Sequence, residues 1–528
     1  MNSKKTGIKI GFSVVLLIII AIIFMPIFFK KQIKNYLIDQ YNNSQSEYFL
    51  KIGDLKSFIF AGNVKMYDIS LKNINKASFS SLSELKASSV SISNVSFFKL
   101  ITGKGFHAGK VEVESPDIIM SRVKKSVTEI AVNDSGKGKK PDIFLSEIII
   151  SNPKFSYFSD LNDSLPLIKT EHGNIFIGDF TLNDLQPSEQ FSAKNLWGEL
   201  ENINYLTADS LYTISISKLN LSYSDSLLSI DSLKITPNYS KKMFGEKAGK
   251  QTDRISLQAY NLRSTSFDAK HFTEIQAIRS GLISLSALNV EAYRDKNIER
   301  KIEYPAFLQQ VISDIKFPIE IKKIEVEKGS VTYEELKEGN EKSGYISFDN
   351  IKTDILNISN QSFDDTLFVN STSALGGKGS LQVKLSFPMK TGDNSYQCHG
   401  ELNGFPVKTL NTLVPFLAGI SFKSGIIDTM KFDFNAKPAV ALGTLQMNYR
   451  DLQIEAVDAN SGSKKGTQKK VLSFILNSFV IKSDVPSERS KNNTSKLYYK
   501  RDPQRFIFNN SLKTIMSGAK RIVLGTND

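Results

Sequence analysis

Apolar and polar residues alternate with a period of two along most of this 528-residue chain, and no other feature narrows its fold as far. Lys110-Val111-Glu112-Val113-Glu114 alternates, as do Ile214-Ser215-Ile216 and Leu219-Asn220-Leu221-Ser222-Tyr223. Later come Leu381-Gln382-Val383-Lys384-Leu385-Ser386-Phe387, Met430-Lys431-Phe432-Asp433-Phe434 and Leu445-Gln446-Met447-Asn448-Tyr449. Successive strand side chains point to opposite faces, so each segment has one apolar face and one polar face. One polar face favours antiparallel sheet over parallel sheet buried on both sides. Ile319-Glu320-Ile321 and Ile324-Glu325-Val326 are out of step by one residue, which predicts a bulge between them.

Something must cover the apolar faces. Helical spacing is scarce between Phe49 and Tyr304, so helices are not the obvious cover there. A series of sandwiches is poorly supported, with one Trp, one Cys and no regular strand spacing. Two readings stay open: an ordinary closed β-core, or a curled sheet whose apolar groove is completed by lipid chains. The second marks Val383, Leu385, Phe387, Phe432, Phe434, Leu445 and Met447 as lipid-contact candidates. The first makes the same residues plain core.

A loose repeat points to one continuous architecture. Gly109 to Met120, Ser146 to Tyr157 and Lys322 to Tyr333 each read as an alternating strand, a Pro or Gly break, and a second strand. Gly-, Ser- and Lys-rich stretches at 133–141, 239–252 and 460–470 read as exposed loops. Helical spacing comes late, at Phe307–Ile315, Leu410–Leu417, Val471–Phe479 and Phe508–Val523. The last has Lys513, Lys520 and Arg521 alongside its apolar residues. It can lie in an anionic membrane interface or pack its stripe over the end of a sheet.

Ile8 to Phe29 carries no charge after Lys9 until Lys30, a run long enough to cross a ~30 Å hydrocarbon core as a helix. A cleaved signal peptide would end in small residues. This run ends in Met25-Pro26-Ile27-Phe28-Phe29, which favours a retained anchor containing Val14, Leu16, Ile19, Ile22 and Phe24. Lysines flank the run almost equally, so charge does not orient it. Its N-terminal, signal-like position favours a translocated body.

The side chains that commonly carry catalysis are few. Four His and one Cys leave little material for a zinc site or a Cys/His nucleophile. There is no GxGxxG, P-loop, GxSxG or HExxH. Cys398 and His399 are adjacent in a predicted strand, so they should face opposite ways, a core thiol beside a surface imidazole. The expectation is a non-enzyme without cofactor or metal. The net charge of +13 is scattered in loops without interleaved aromatics, which argues against nucleic acid as a partner.

Several segments together resemble the AsmA-like family of Gram-negative envelope proteins. The N-terminal run is followed by Leu85–Ile92, Phe97-Phe98-Lys99-Leu100 and the strand, Pro, strand segment Val111–Ile119. Further on stand Gly400–Phe405, Leu413–Phe416, Ile420–Gly425, Phe432–Phe434, Gly443–Leu445 and Tyr449–Ile454, in the order of the family's C-terminal region. Tyr498-Tyr499-Lys500-Arg501-Asp502 before a last amphipathic helix is similar to Bacteroidota-type members. The resemblance implies a single-pass inner-membrane anchor and a periplasmic body. It also implies an elongated, curled antiparallel β-sheet with an apolar groove, and a role in phospholipid movement or outer-membrane maintenance. Larger relatives are linked to outer-membrane protein assembly, so a scaffold for envelope proteins is the alternative. No catalytic residues come with it.

The chain is therefore expected to be mainly β, with a transmembrane helix first and a few late amphipathic helices. The expected divisions are an anchor over 1–34, an N-terminal half of the sheet over 35–300, an AsmA-like half over 301–460, and a basic loop with C-terminal helices over 461–528. Expected partners are membrane phospholipids and an envelope protein. Roughly 20 to 25 strands are expected.

Overall fold

The computed structural model describes residues 30–32, 34–43, 48–58, 62–74, 82–96, 99, 105–122, 143–160, 163–182, 191–269, 271–272, 277–361, 365–389, 394–458, 482–487 and 491–525. The proposed anchor residues Val14, Leu16, Ile19, Ile22 and Phe24, and the helix expected over 471–479, lie outside them. Among the described residues no helix is long and apolar enough to cross a membrane.

The protein is mainly β. Contacts divide it into one unit of 1–206 with 217–224 and a second of 207–216 with 225–528. Residue 300, the boundary read from the sequence, falls inside the second unit. The first unit holds β1 (Tyr48–Phe58), β2 (Asn63–Asn73), β3 (Leu82–Ser93), β4 (Phe106–Glu114), β5 (Asp117–Ser121), β6 (Ile143–Ser151), β7 (Lys154–Phe158), β8 (Ile168–Thr170), β9 (His172–Leu182), β10 (Phe191–Ser192) and β11 (Asn195–Leu206). The division runs through β12 (Tyr212–Ser222). The second unit continues with β13 (Leu227–Pro237), β14 (Asp253–Ser264), β15 (Ile278–Leu285), β16 (Ala287–Asp295), β17 (Ile319–Leu336), β18 (Gly344–Ser359), β19 (Thr366–Leu375), β20 (Lys378–Pro388), β21 (Tyr396–Pro406), β22 (Ile420–Ala436), β23 (Val440–Ala456) and β24 (Thr494–Lys500).

In the first unit the pairing runs β1, β2, β3, then β4 with β5, β6 with β7, β9 with β8, and β11. β4 and β5 are one strand broken at Ser115-Pro116, and β6 and β7 one strand broken at Asn152-Pro153. These are two of the three sequence repeats, and they pair with each other in parallel. The third repeat lies in β17, which pairs in parallel with β15 and β16. The sheet is therefore not purely antiparallel as expected. A parallel step needs a crossover of a dozen residues or more. Segments 122–142 and 296–318 supply that length.

The breaks line up. Pairing steps over Gly53, Asp68 and Ser88 on β1, β2 and β3, while the pairs on either side keep one register. The line continues through Ser115, Asn152, Glu171 and Asn202. Asp68, Ser115, Asn152 and Asn202 have φ of 51°, 48°, 51° and 55°. Asn and Asp tolerate this left-handed region best of the residues with a β-carbon. An irregular residue shifts the alternation by one, so residues three apart share a face. Ile52 and Leu55 are thus both buried. The crease keeps one face apolar from end to end of each strand.

β17 shows how such a step differs from a register shift. The bulge expected between Ile321 and Ile324 is not a shift against β18, because Ile321 pairs Ile358 and Lys323 pairs Leu356 in one register. Gly281 of β15, Lys322 of β17 and Asn357 of β18 are stepped over at one level, and Asn357 has φ 61°. All three strands change parity together. The shifts lie further on, between Val326 and Val331.

Helices are few. One over 30–32 and 34–42 (α1) precedes β1. The stretch 239–252, read as a loop, holds α2 (Lys241–Ala248). Ser240 caps it by accepting from the Met243 amide, Gly249 ends it at φ 66°, and Phe244 is buried beneath it. The expected helix near 307–315 is α3 (Leu308–Ser313). That near 410–417 is a 3-10 turn, Val407–Thr412, followed by α4 (Val414–Ala418). The last is α5 (Ile507–Leu524).

Asn152→Val should destabilise the first unit by about 1–2 kcal/mol, because a side chain with a β-carbon branch cannot adopt φ 51° without strain. Asn152→Gly should be close to neutral. Denaturant midpoints for the two variants check this.

Candidate functional site

The seven sequence candidates do meet on one face of the second unit. Val369, Leu385, Cys398, Phe434 and Gly443 form one cross-strand row on β19 to β23. Val383, Gly400, Phe432 and Leu445 form the next. Met447 sits opposite Met430, and Phe387 opposite Leu367. The large rings face glycines across the strands, and a β-carbon at Gly400 would overlap the Phe432 ring.

That face is filled. Leu445 and Phe434 are 0% and 1% exposed, and Phe387, Phe432 and Met447 are also buried. Val383 and Leu385 pack against the same cluster. α5 lies over β23 and β24, with Ile515, Ala519, Ile522 and Val523 against the cluster. Gly518 makes this approach possible, since a β-carbon there would stand 2.6 Å from Leu497 Cδ2. The Tyr396 hydroxyl hydrogen-bonds Ser511 of α5 at 2.7 Å. Phe307 and Ile312, at α3, close another side. Of the two readings of these residues, the packed core describes them.

The first unit offers the same chemistry without that cover. Leu55, Met66, Val90, Val113, Ile150 and Ile175 are directly paired in sequence from β1 to β9. Val64, Ile92, Val111, Ile148, Ile177 and Leu196 form a parallel row reaching β11. Across the crease run Leu50, Leu71, Leu85, Ile118 and Phe155. Apart from Leu55, the side chains of these rows are half-buried. α1 meets β1 at its edge, no other described helix packs across these strands, and Ile52, Leu55, Ile69 and Ala87 are buried among the half-buried rows. Sequence reasoning set these residues among ordinary strands. The signal that picks them out is a contrast: apolar alternation as strong as in the second unit, with no helical period beside it.

The opposite face mixes ion pairs with an apolar run of Ile149, Phe176 and Trp197, and the β1 edge is polar. Lys110 pairs Glu112, and Lys218 pairs Glu199 at 2.9 Å. At the β1 edge the Asn42 amide donates to the Leu50 carbonyl and accepts from the Leu50 amide. Lys34 donates to the Gly53 carbonyl, and Lys30 to Asp54 at 2.7 Å, which holds the Asp54 carboxyl below its usual range. α1 thus occupies backbone groups that an incoming strand would use.

Chemistry-bearing residues are dispersed. Cys398 is buried, and burial pushes its thiol up to about 12. His399 points outward to Asp433 at 3.2 Å, as the strand parity required. His271 pairs Asp268 at 2.7 Å. Among the described residues no group of three or more His, Cys, Asp or Glu could hold a metal ion. Among the described residues the His271–Asp268 and His399–Asp433 pairs stand apart from each other and from the buried thiol of Cys398.

No protein-family model and no curated protein matches the chain.

Two outcomes are expected. Phe434→Ala should cost about 3–5 kcal/mol by leaving a cavity under α5, read from denaturant unfolding. Stability should also fall as pH rises above about 9, where an unfolded thiol ionises but the buried Cys398 holds its proton. In Cys398→Ala the slope between pH 9 and 10 should flatten. Tyr396, also pushed up to about 12 by burial, contributes only above its ordinary value of 10.0.

Proposed function

We propose that this is a membrane-anchored lipid-handling protein of AsmA-like type, with acyl chains held against the apolar rows of the first unit. The supporting observation is the run of paired aliphatic side chains from β1 to β11, half-buried and crossed by no described helix. Each methylene moved from water onto such a surface contributes about 0.8 kcal/mol. A continuous row lets a chain exchange one contact for the next without re-entering water. Headgroups stay at the rim, and movement is passive, following concentration or a coupled machine.

The Ile8–Phe29 run supports an anchor and its N-terminal, signal-like position a translocated body, while the resemblance supports an inner-membrane setting and outer-membrane maintenance as the role. The candidates of the second unit take a different part in this reading: they form the packed core of that unit. The scaffold alternative, with client strands added to an edge, finds less support at β1, where α1 occupies the Leu50 and Gly53 backbone groups.

The full chain, extracted in mild detergent, should carry phospholipid detectable by mass spectrometry. Val113→Asp with Ile150→Asp places carboxylates in the middle of one row. Each desolvated carboxylate opposes an acyl chain strongly enough to reduce bound lipid by at least about tenfold. Wild-type protein without lipid, or a variant that retains it, would count against the proposal.

A further inference from the structure

The notable surface outside the apolar rows lies on α5. This helix has two apolar stripes. Ile515, Ala519, Ile522 and Val523 face the core of the second unit. Phe508, Leu512 and Met516, spaced four apart, face solvent at 51%, 41% and 38% exposure. Phe508 touches Phe348 edge-on and stays half exposed. Phe506, just before the helix, is exposed as well. The Arg300 guanidinium donates to the Gln504 carbonyl at 2.7 Å, which brings segment 300–304 beside the start of α5. That segment exposes Ile302 and Tyr304 at 71% and 69%.

Charge identifies the occupant. α5 contains no acidic residue over its 18 positions. Lys513 and Lys520 are exposed beside the apolar stripe. On the adjoining segment Lys301 is exposed, and the carboxylate of Glu303 is paired with Lys250. Exposed Phe, Leu, Met, Ile and Tyr ringed by lysines fit an interface where acyl chains meet anionic headgroups. A protein partner would more often seat a central anchor in a pocket and present acidic side chains to the lysines, whereas these apolar residues lie along an exposed helix face.

We propose that the outer face of α5, with Ile302 and Tyr304, docks on an anionic lipid bilayer. The contact is peripheral, and the helix stays packed on the sheet by its other stripe. The proposal does not depend on lipid lying along the first unit, because docking and lipid carriage use different residues and have separate readouts.

The test holds the N-terminal segment apart. The full chain is reconstituted in phosphatidylcholine nanodiscs, which occupy that segment. The loaded discs are then mixed with a second set of vesicles, either pure phosphatidylcholine or phosphatidylcholine with phosphatidylglycerol, and co-flotation is measured. Capture of the anionic vesicles and little capture of the neutral ones is expected. Phe508→Ser, Leu512→Ser and Met516→Ser together should reduce capture by at least about tenfold. Lys513→Glu with Lys520→Glu should remove the preference for anionic vesicles. All five positions are exposed and only Phe508 touches a neighbouring ring, so unfolding midpoints should move little, and that measurement accompanies the flotation. Failure of wild-type discs to capture anionic vesicles, equal capture of neutral vesicles, or full capture by the triple variant would overturn the proposal. Discs that pair with each other without vesicles would overturn it too, by showing the face to be a contact between copies of this chain.

Discussion

Each strand here has one apolar face, and the need to keep that face from water governs the rest of the structure. The second unit meets it by packing. Phe432 and Phe434 stand over Gly400 and Gly443 on neighbouring strands, and α5 closes over them with Gly518 at the tightest approach. The first unit has the same apolar rows and no described helix over them. The face is filled in the second unit, while most of the row side chains in the first are half-buried, and this difference motivates the lipid-bearing reading.

The crease is what makes long apolar rows possible. Strand alternation alone fixes which residues share a face, and a break would reverse it. In the first unit the irregular residues occur at one level on successive strands, from Gly53 and Asp68 to Asn152 and Asn202. Because every strand changes parity there, neighbours stay matched on both sides of the line. Gly281, Lys322 and Asn357 repeat the device in the second unit.

Much of this was legible in the sequence, and the misses have physical causes. Period-two alternation marks the strand character, and the 24 strands among the described residues lie within the expected range. The Cys398/His399 orientation followed from strand parity. The repeat was visible as strand, Pro or Gly, strand, but its parallel pairing was not, since hydrogen-bond direction leaves no mark in one segment read alone. α2 was missed because its eight residues lie in a Lys- and Gly-rich stretch whose composition resembles a loop. The bulge expected in β17 went wrong because the extra residue there is matched on both neighbours, which a single strand cannot reveal. The lipid-contact candidates were chosen by strength of alternation. That criterion selects the best-packed strands, whose apolar residues join one buried cluster that α5 helps to close.

Photo-crosslinking at single positions addresses the central claim most directly. A benzophenone side chain placed at Ile150, in an open row, and separately at Phe434, under α5, would be activated in cells producing the full chain. The account predicts phospholipid adducts at Ile150 and none at Phe434. Adducts at neither position, or at Phe434 alone, would contradict it.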